Sequence, residues 1–209
     1  MSEAGLQIFN ADGQTVTVDS TYRNFALRTK GVATTTQASG FSSYVDFQLS
    51  GLTIPMIATK STITSAARVA NVGNGNFIFR IYANSDPGAQ IPYYIFDVPT
   101  PSDSRFGLNV FDGAGNLTFD ATGGKYLRVV DFIQWDAGIS KSYQPGREYA
   151  CIFNDYGLRV EPPAKNIRIY GAKINAEVMT STLMVIETYY GSSFMYYLPQ
   201  YMVIDVTNY

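Results

Sequence analysis

Two stretches of this chain spell nearly the same phrase, and few folds accommodate it. Gly5-Leu6-Gln7-Ile8-Phe9-Asn10-Ala11-Asp12-Gly13-Gln14 stands near the start, and Gly107-Leu108-Asn109-Val110-Phe111-Asp112-Gly113-Ala114-Gly115-Asn116 returns to it. Paired from Gly5 with Gly107, the residues Gly, Leu, Phe and Gly recur at the first, second, fifth and ninth places. Each copy reads as a short alternating strand, a tight glycine-containing turn and a returning strand, which is a β-hairpin. The phrase holds no reactive set. It marks scaffold, and its recurrence suggests two similar β layers or halves.

The rest of the chain uses the same grammar. Asn24 to Thr29, Tyr44 to Leu49, Ile54 to Thr62, Phe77 to Tyr82, Ile91 to Val98, Lys125 to Ile133 and Arg147 to Phe153 all read as strands. The tail adds Ile167 to Tyr170, Lys173 to Val178, Leu183 to Thr188 and Tyr201 to Val206. Gly73-Asn74-Gly75-Asn76 carries an Asn-Gly pair between two such runs and predicts a tight hairpin. The most helix-like window, Ser61 to Val72, is too rich in Ser, Thr and β-branched residues for more than a short turn. Gly31 to Ser43 is small, polar and Gly-containing, and is expected to be a loop or extended arm. The fold class is therefore all-β, an antiparallel sandwich or barrel-like fold.

Pro99-Thr100-Pro101-Ser102-Asp103-Ser104 is the most linker-like segment. It divides the chain into residues 1–104 and 105–209, each opened by one hairpin phrase, though a loop inside a single domain suits it nearly as well. The Gly-Leu-x-Val/Ile tetrad also occurs at Gly51 and Gly157, where Pro55 and Pro162 prevent the same hairpin, so those two are coincidences of spelling.

Charged residues make up only 15% of the chain, against about 25% in an ordinary globular domain, while Tyr and Phe number 16 and 13. So uncharged a surface is either Thr-, Ser-, Asn- and Gly-rich or buried against neighbouring subunits. A net charge of −2 with scattered Lys and Arg offers no footprint for nucleic acid. No apolar run approaches the roughly 20 residues that span a bilayer, so membrane insertion is not expected. Met1 to Gly5 shows neither the basic nor the apolar region of a signal peptide, and the single cysteine, Cys151, sits in an apolar run where a buried thiol is expected; synthesis in a reducing cytoplasm is therefore the expectation.

Chemistry is scarce. The chain has no histidine, which removes the commonest general base and transition-metal ligand, and one cysteine cannot build a usual zinc site. The 17 acidic residues are isolated, and Asp12, Asp86, Asp103 and Asp112 sit in turns whose geometry accounts for them. Neither a calcium loop nor a phosphate-binding glycine loop is present. Asn116-Leu117-Thr118 fits a glycosylation triplet, but it lies in a hairpin strand. No catalytic residue, metal or cofactor is expected, and a glycan-cleaving carboxylate pair is the weakest alternative.

Aromatic clusters are the remaining candidates. Tyr93-Tyr94 and Tyr189-Tyr190 each put one ring on either face of a strand, so that one ring of a pair can meet a partner. Met, Phe and Tyr crowd the end of the chain almost without charge, and Tyr189, Tyr190, Phe194, Tyr196, Tyr197 and Tyr201 form the expected interface or ligand patch. Tyr189, Tyr190 and Tyr197 are also the rings best suited to stack on a sugar.

The opening phrase resembles the start of small proteins of tailed phages and prophages, encoded among tail genes, that begin Gly-Leu-Gln-Val-Phe-Asn-x-x-Gly. Tyr93-Tyr94-Ile95-Phe96-Asp97, Gly107 to Asp112 and Lys125-Tyr126-Leu127-Arg128-Val129-Val130 are similar to their later part, and the likeness covers roughly residues 1–135. The resemblance implies a non-enzymatic virion tail component at the tail tip, baseplate or fibre attachment, with no catalytic residue to carry over. Its implied partners are other tail proteins and itself, as a trimer or ring, made in the bacterial cytoplasm and located in the virion. The alternative is a receptor- or carbohydrate-binding β-sandwich of a tail fibre, with a host surface glycan as ligand.

Overall fold

The computed structural model describes residues 7–9, 16–19, 24–101, 106–122, 125–134, 138–155, 158–160, 166–188, 195–196 and 199–209. Among them every regular element is a strand. The first part of the chain forms β1 (Gln7–Phe9), β2 (Val16–Asp19), β3 (Ala26–Thr34), β4 (Gln37–Ser39), β5 (Ser42–Leu49), β6 (Met56–Thr59), β7 (Ser65–Gly73), β8 (Asn76–Ala83) and β9 (Gln90–Asp97). The second forms β10 (Asn109–Phe111), β11 (Leu117–Asp120), β12 (Val129–Gln134), β13 (Ser140–Ser142), β14 (Tyr149–Asp155), β15 (Leu158–Val160), β16 (Asn166–Asn175), β17 (Val178–Thr188), β18 (Met195–Tyr196) and β19 (Gln200–Asp205). The all-β, antiparallel expectation holds.

The repeated phrase contributes twice to a short antiparallel strand pair. β1 pairs β2 with Gln7 opposite Asp19 and Phe9 opposite Val16; β10 pairs β11 with Asn109 opposite Asp120 and Phe111 opposite Leu117. A bulge falls at the matching place in each, between Ile8 and Phe9 and between Val110 and Phe111. Asp112 organises the second turn: its Oδ1 accepts from the amides of Ala114 and Asn116 at 2.9 and 2.8 Å, while Gly115 takes φ +83°. That is the turn role expected of Asp112. Asp12 and Asp103 lie outside the described residues.

The chain resolves into two compact units, one of Met1–Arg28 with Phe96–Leu127 and one of Thr29–Ile95 with Arg128–Tyr209. These units do not coincide with residues 1–104 and 105–209. Each half of the chain gives its hairpin to the first unit and its remaining strands to the second. In the first unit, Leu27 N–H donates to Lys125 O and Leu127 N–H to Phe25 O, both at 2.8 Å, around an antiparallel bridge of Ala26 with Tyr126.

The second unit contains two antiparallel sheets. One is six-stranded, in the order β12-β19-β14-β6-β9-β3; the other runs β13-β17-β16-β7-β8-β5-β4, with β15 beside β16 and β18 beside β15. Alternation decides which side chains the sheets bury against each other. Phe77, Phe79 and Ile81 of β8 face Ile57, Ala33, Ile91 and Ile95 in one core. Tyr149 and Cys151 of β14, with Tyr201 and Val203 of β19, meet Tyr170, Ala172, Ile174 and Met179 in another. A third cluster joins Ala66 and Tyr82 to Ile169, Met184 and Ile186. β17 touches β4 and β5 although several strands separate them in the sheet, so this sheet curls.

Several local expectations need correction. Gly31 to Ser43 is no loop: it completes β3, forms β4 and begins β5, because main-chain pairing and the buried Ala33, Thr35 and Ser42 outweigh a weak β composition. Ser61 to Val72 becomes mostly β7. Two tail strands expected on either side of Gly171 are one, β16. A Cβ on Gly171 would lie 2.8 Å from the Ser65 carbonyl oxygen, so this glycine admits a neighbouring strand and does not end its own. The Asn-Gly hairpin forms as expected, with Asn74 and Gly75 at φ 54° and 70°.

Candidate assembly surface

The aromatic patch expected at the end of the chain is only partly placed by the structure. Tyr189, Tyr190, Phe194 and Tyr197 lie outside the described residues. Tyr196 stands in the short strand β18, opposite Arg159 of β15. Tyr201 is corrected: it is fully buried, its hydroxyl 2.8 Å from Ser181 Oγ and its ring edge-on to Phe153 at 5.5 Å. Alternation along β19 turns it inward with Val203, so it has no face for a partner. Burial also pushes its phenol well above the ordinary tyrosine range. Neither ring of Tyr93-Tyr94 is exposed: Tyr93 lies tilted against Phe47, ring centres 4.9 Å apart, and Tyr94 packs edge-on to Tyr209.

Exposed apolar side chains gather elsewhere. In the second hairpin's unit, Phe106, Leu108 and Phe111 are open to solvent, Phe106 at 87% exposure. In the other unit, Val129, Val130 and Phe132 are about half exposed along β12. β12 is one edge of the six-stranded sheet and pairs only with β19 among the described strands. Its sequence, Val-Val-Asp-Phe-Ile-Gln, contains no Lys or Arg. The opposite edge, β3, is guarded differently: exposed Arg28 and Lys30 precede Val32, with Lys30 Nζ 2.6 Å from the Tyr209 carbonyl oxygen. The two edges thus differ in kind. β3 carries the charge that discourages strand addition, and β12 carries apolar surface that favours it.

Asp131, the one acid of β12, is held in place from β13 and beyond. Its Oδ2 accepts from Lys141 Nζ at 2.8 Å and from the Tyr143 hydroxyl at 3.0 Å. Partial burial works against its charge, but these two donors hold the carboxyl below the usual range. Asp131 therefore stays charged at neutral pH without offering a free charge beside Val130 and Phe132.

A second feature is a cleft of about 460 Å³ lined by Lys60, Ser61, Thr62, Gln90, Arg147 and Glu148, with Ile63, Pro92 and Ile174 as apolar wall. Its cations are already engaged. Lys60 pairs with Glu148 at 3.0 Å, and Arg147 with Asp205 at 2.6 Å. Asp205 is nearly buried and also takes Arg128 at 3.3 Å and the Thr207 amide at 2.8 Å. Burial opposes its ionisation, and the Thr207 and Arg147 hydrogen bonds overcome it, so its carboxyl lies below the usual range. The arrangement presents hydroxyls, an amide and one ion pair beside apolar carbon, which suits a neutral polyhydroxyl ligand better than an anion.

The reading of isolated, turn-bound acids missed Asp97, Asp120 and Asp205, all buried. Asp120 still behaves as a turn acid, its Oδ1 accepting from the amide and hydroxyl of Thr122 at 2.8 and 2.5 Å. Asp97 and Asp205 are strand-end residues, and a signal for them existed: each is followed by Val, at Asp97-Val98 and Asp205-Val206. Among the described residues, no three His, Cys, Asp or Glu side chains come together as a metal site.

No family model matches this chain, and neither a curated protein nor a solved structure was found to be similar to it.

Proposed function

We propose that the protein is a non-enzymatic structural component of a bacteriophage tail, at the tail tip, baseplate or fibre attachment. In this reading it assembles with further copies of itself and with other tail proteins. The observation that carries the assembly is the β12 edge, a six-residue strand exposing Val129, Val130 and Phe132 with no Lys or Arg of its own. Burying such an edge removes apolar area from water and satisfies main-chain groups in one step. The tail assignment itself draws on the likeness of the hairpin phrases to tail-associated proteins.

The test is light scattering on the purified chain, beside a variant with Val130→Lys and Phe132→Lys. The native chain should associate at micromolar concentration and the variant should run as a monomer. A native chain that stays monomeric at high concentration, and that mass spectrometry does not find in tailed particles, refutes the proposal.

One observation favours the receptor-binding reading, the cleft beside Lys60, Gln90 and Glu148. Saturation-transfer NMR with simple methyl pyranosides examines it. Transfer lost on Gln90→Ala supports it, and no transfer from any pyranoside counts against it.

A further inference from the structure

Both sheets of the larger unit read the same from the middle outward. From the centre of the six-stranded sheet the order is β14, β19, β12 to one side and β6, β9, β3 to the other. From the centre of the curled sheet it is β16, β17, β13 to one side and β7, β8, β5 to the other. In chain order the first half therefore runs β3, β5, β6, β7, β8, β9, and the second runs β12, β13, β14, β16, β17, β19, through the same sequence of positions. β4 is extra to the first half, and β15 and β18 to the second. Both central pairs, β6 with β14 and β7 with β16, are antiparallel, which is the relation a twofold axis through the middle of each sheet produces.

The cores divide the same way. One cluster takes its fully buried members from residues 33–95, and Phe153 of β14 packs against its rim as it does against the other two. Its counterpart takes all of its members from residues 133–203, on the corresponding strands. The third cluster is the one both halves build, with Ala66 and Tyr82 from the first half against Ile169, Met184 and Ile186 from the second. Polar contacts close the same seam: Thr64 Oγ1 lies 3.1 Å from Thr182 Oγ1, and Ile174 N–H donates to Ser61 O at 2.6 Å. Gly171 lets the seam close, since its missing Cβ leaves room for the Ser65 carbonyl and the Thr64 methyl.

Short sequence echoes fall at equivalent positions. Leu27-Arg28 lies just inside β3 and Leu127-Arg128 just before β12, while Asp97 ends β9 and Asp205 ends β19, each followed by Val. Each arginine bonds just beyond its half's Asp-Val pair, Arg28 to Thr100 Oγ1 at 2.5 Å and Arg128 to Thr207 O at 2.6 Å.

We infer that the chain is two copies of one hairpin-plus-sandwich module, and that the face made by β6 and β7 is a docking surface whose partner is a second copy of that module. Within this chain that partner is supplied in cis, by β14 and β16. The inference stands apart from the tail assignment, because it concerns how the halves meet and not what the whole attaches to.

The experiment uses the full chain with a protease site inserted in residues 102–105, cut after folding. The cut protein should still run as one particle in native mass spectrometry, held by the seam together with the pairing of Leu27 with Lys125 and Leu127 with Phe25. Gly171→Leu, which drives a side chain at the Ser65 carbonyl, or Ala66→Glu, which puts a charge among Ile169 and Met184, should lower the urea concentration at which the cut halves part, and an unchanged concentration in both variants overturns the inference. The separated halves should each keep a β-sheet circular dichroism signal, as modules with their own cores do. If cutting alone unfolds the chain, or the parted halves lose their sheet signal, the seam is the interior of one indivisible domain and the inference is overturned.

Discussion

The Arg147 guanidinium meets the Asp205 carboxylate at 2.6 Å, and Asp205 is almost wholly buried when it does so. With Arg128 on its other oxygen, the acid ties the end of β19 to the segments entering β12 and β14. Removing the carboxylate leaves two arginines facing a buried neutral group. Asp205→Asn should lower stability by about 2–4 kcal/mol at pH 7 in urea unfolding. The sign with pH follows from a carboxyl held below its usual range. Its contribution is present above the unfolded-state value, about 3.9, and fades as pH falls through the lower folded value. Native and variant stabilities should therefore converge toward pH 2, and a gap unchanged between pH 7 and pH 2 would show that Asp205 acts by packing alone.

Arg80 grips Asp46 with two nitrogens, at 2.6 and 2.5 Å, and its guanidinium lies 4.3 Å from the centre of the Tyr44 ring. A lysine keeps the charge and loses both the fork and the flat stacking face. Arg80→Lys should cost about 1 kcal/mol, a modest figure because the pair is partly exposed. A thermal shift indistinguishable from zero would mean that solvent replaces the fork fully.

Cys151 is fully buried in β14, and burial alone pushes its thiol far above the ordinary range. It should not react with iodoacetamide at pH 8 in the native protein, and its labelling rate should follow global unfolding as urea rises. Rapid labelling without denaturant would mean that β14 opens locally.

Asp112 closes the turn of the second hairpin through Ala114, Asn116 and the Asn116 side chain. Asp112→Ala should cost about 1 kcal/mol, and Asp112→Asn, which keeps an acceptor oxygen, should recover most of it. Amide exchange at Leu117 and Phe119 reads this out, and equal protection in both variants would place the turn's stability in its glycines.

Much of the fold was legible from local patterns. Alternation marked β5, β8, β9 and β19 almost to the residue, and Asn74-Gly75 marked its hairpin, because period-two polarity and a positive-φ turn are properties of neighbouring residues. The candidate surface was less legible. A crowd of Tyr and Phe near the end of the chain pointed at Tyr201, which the structure buries, whereas the exposed row on β12 looked like an ordinary apolar strand. Aromatic content tells how much surface a residue covers and not which side of the sheet it faces relative to a core.

The repeated Gly-Leu-x-Val/Ile-Phe phrase by itself marked two short antiparallel strand pairs, and alternation along the other runs marked an all-β chain around them. Only tertiary structure decided that both hairpins belong to one unit, that the remaining strands of both halves pair across a common seam, and that β12 is an edge. Strand identity is set by contacts between residues close in sequence. Strand order is set by which apolar faces can be buried together, and those faces come from residues a hundred positions apart.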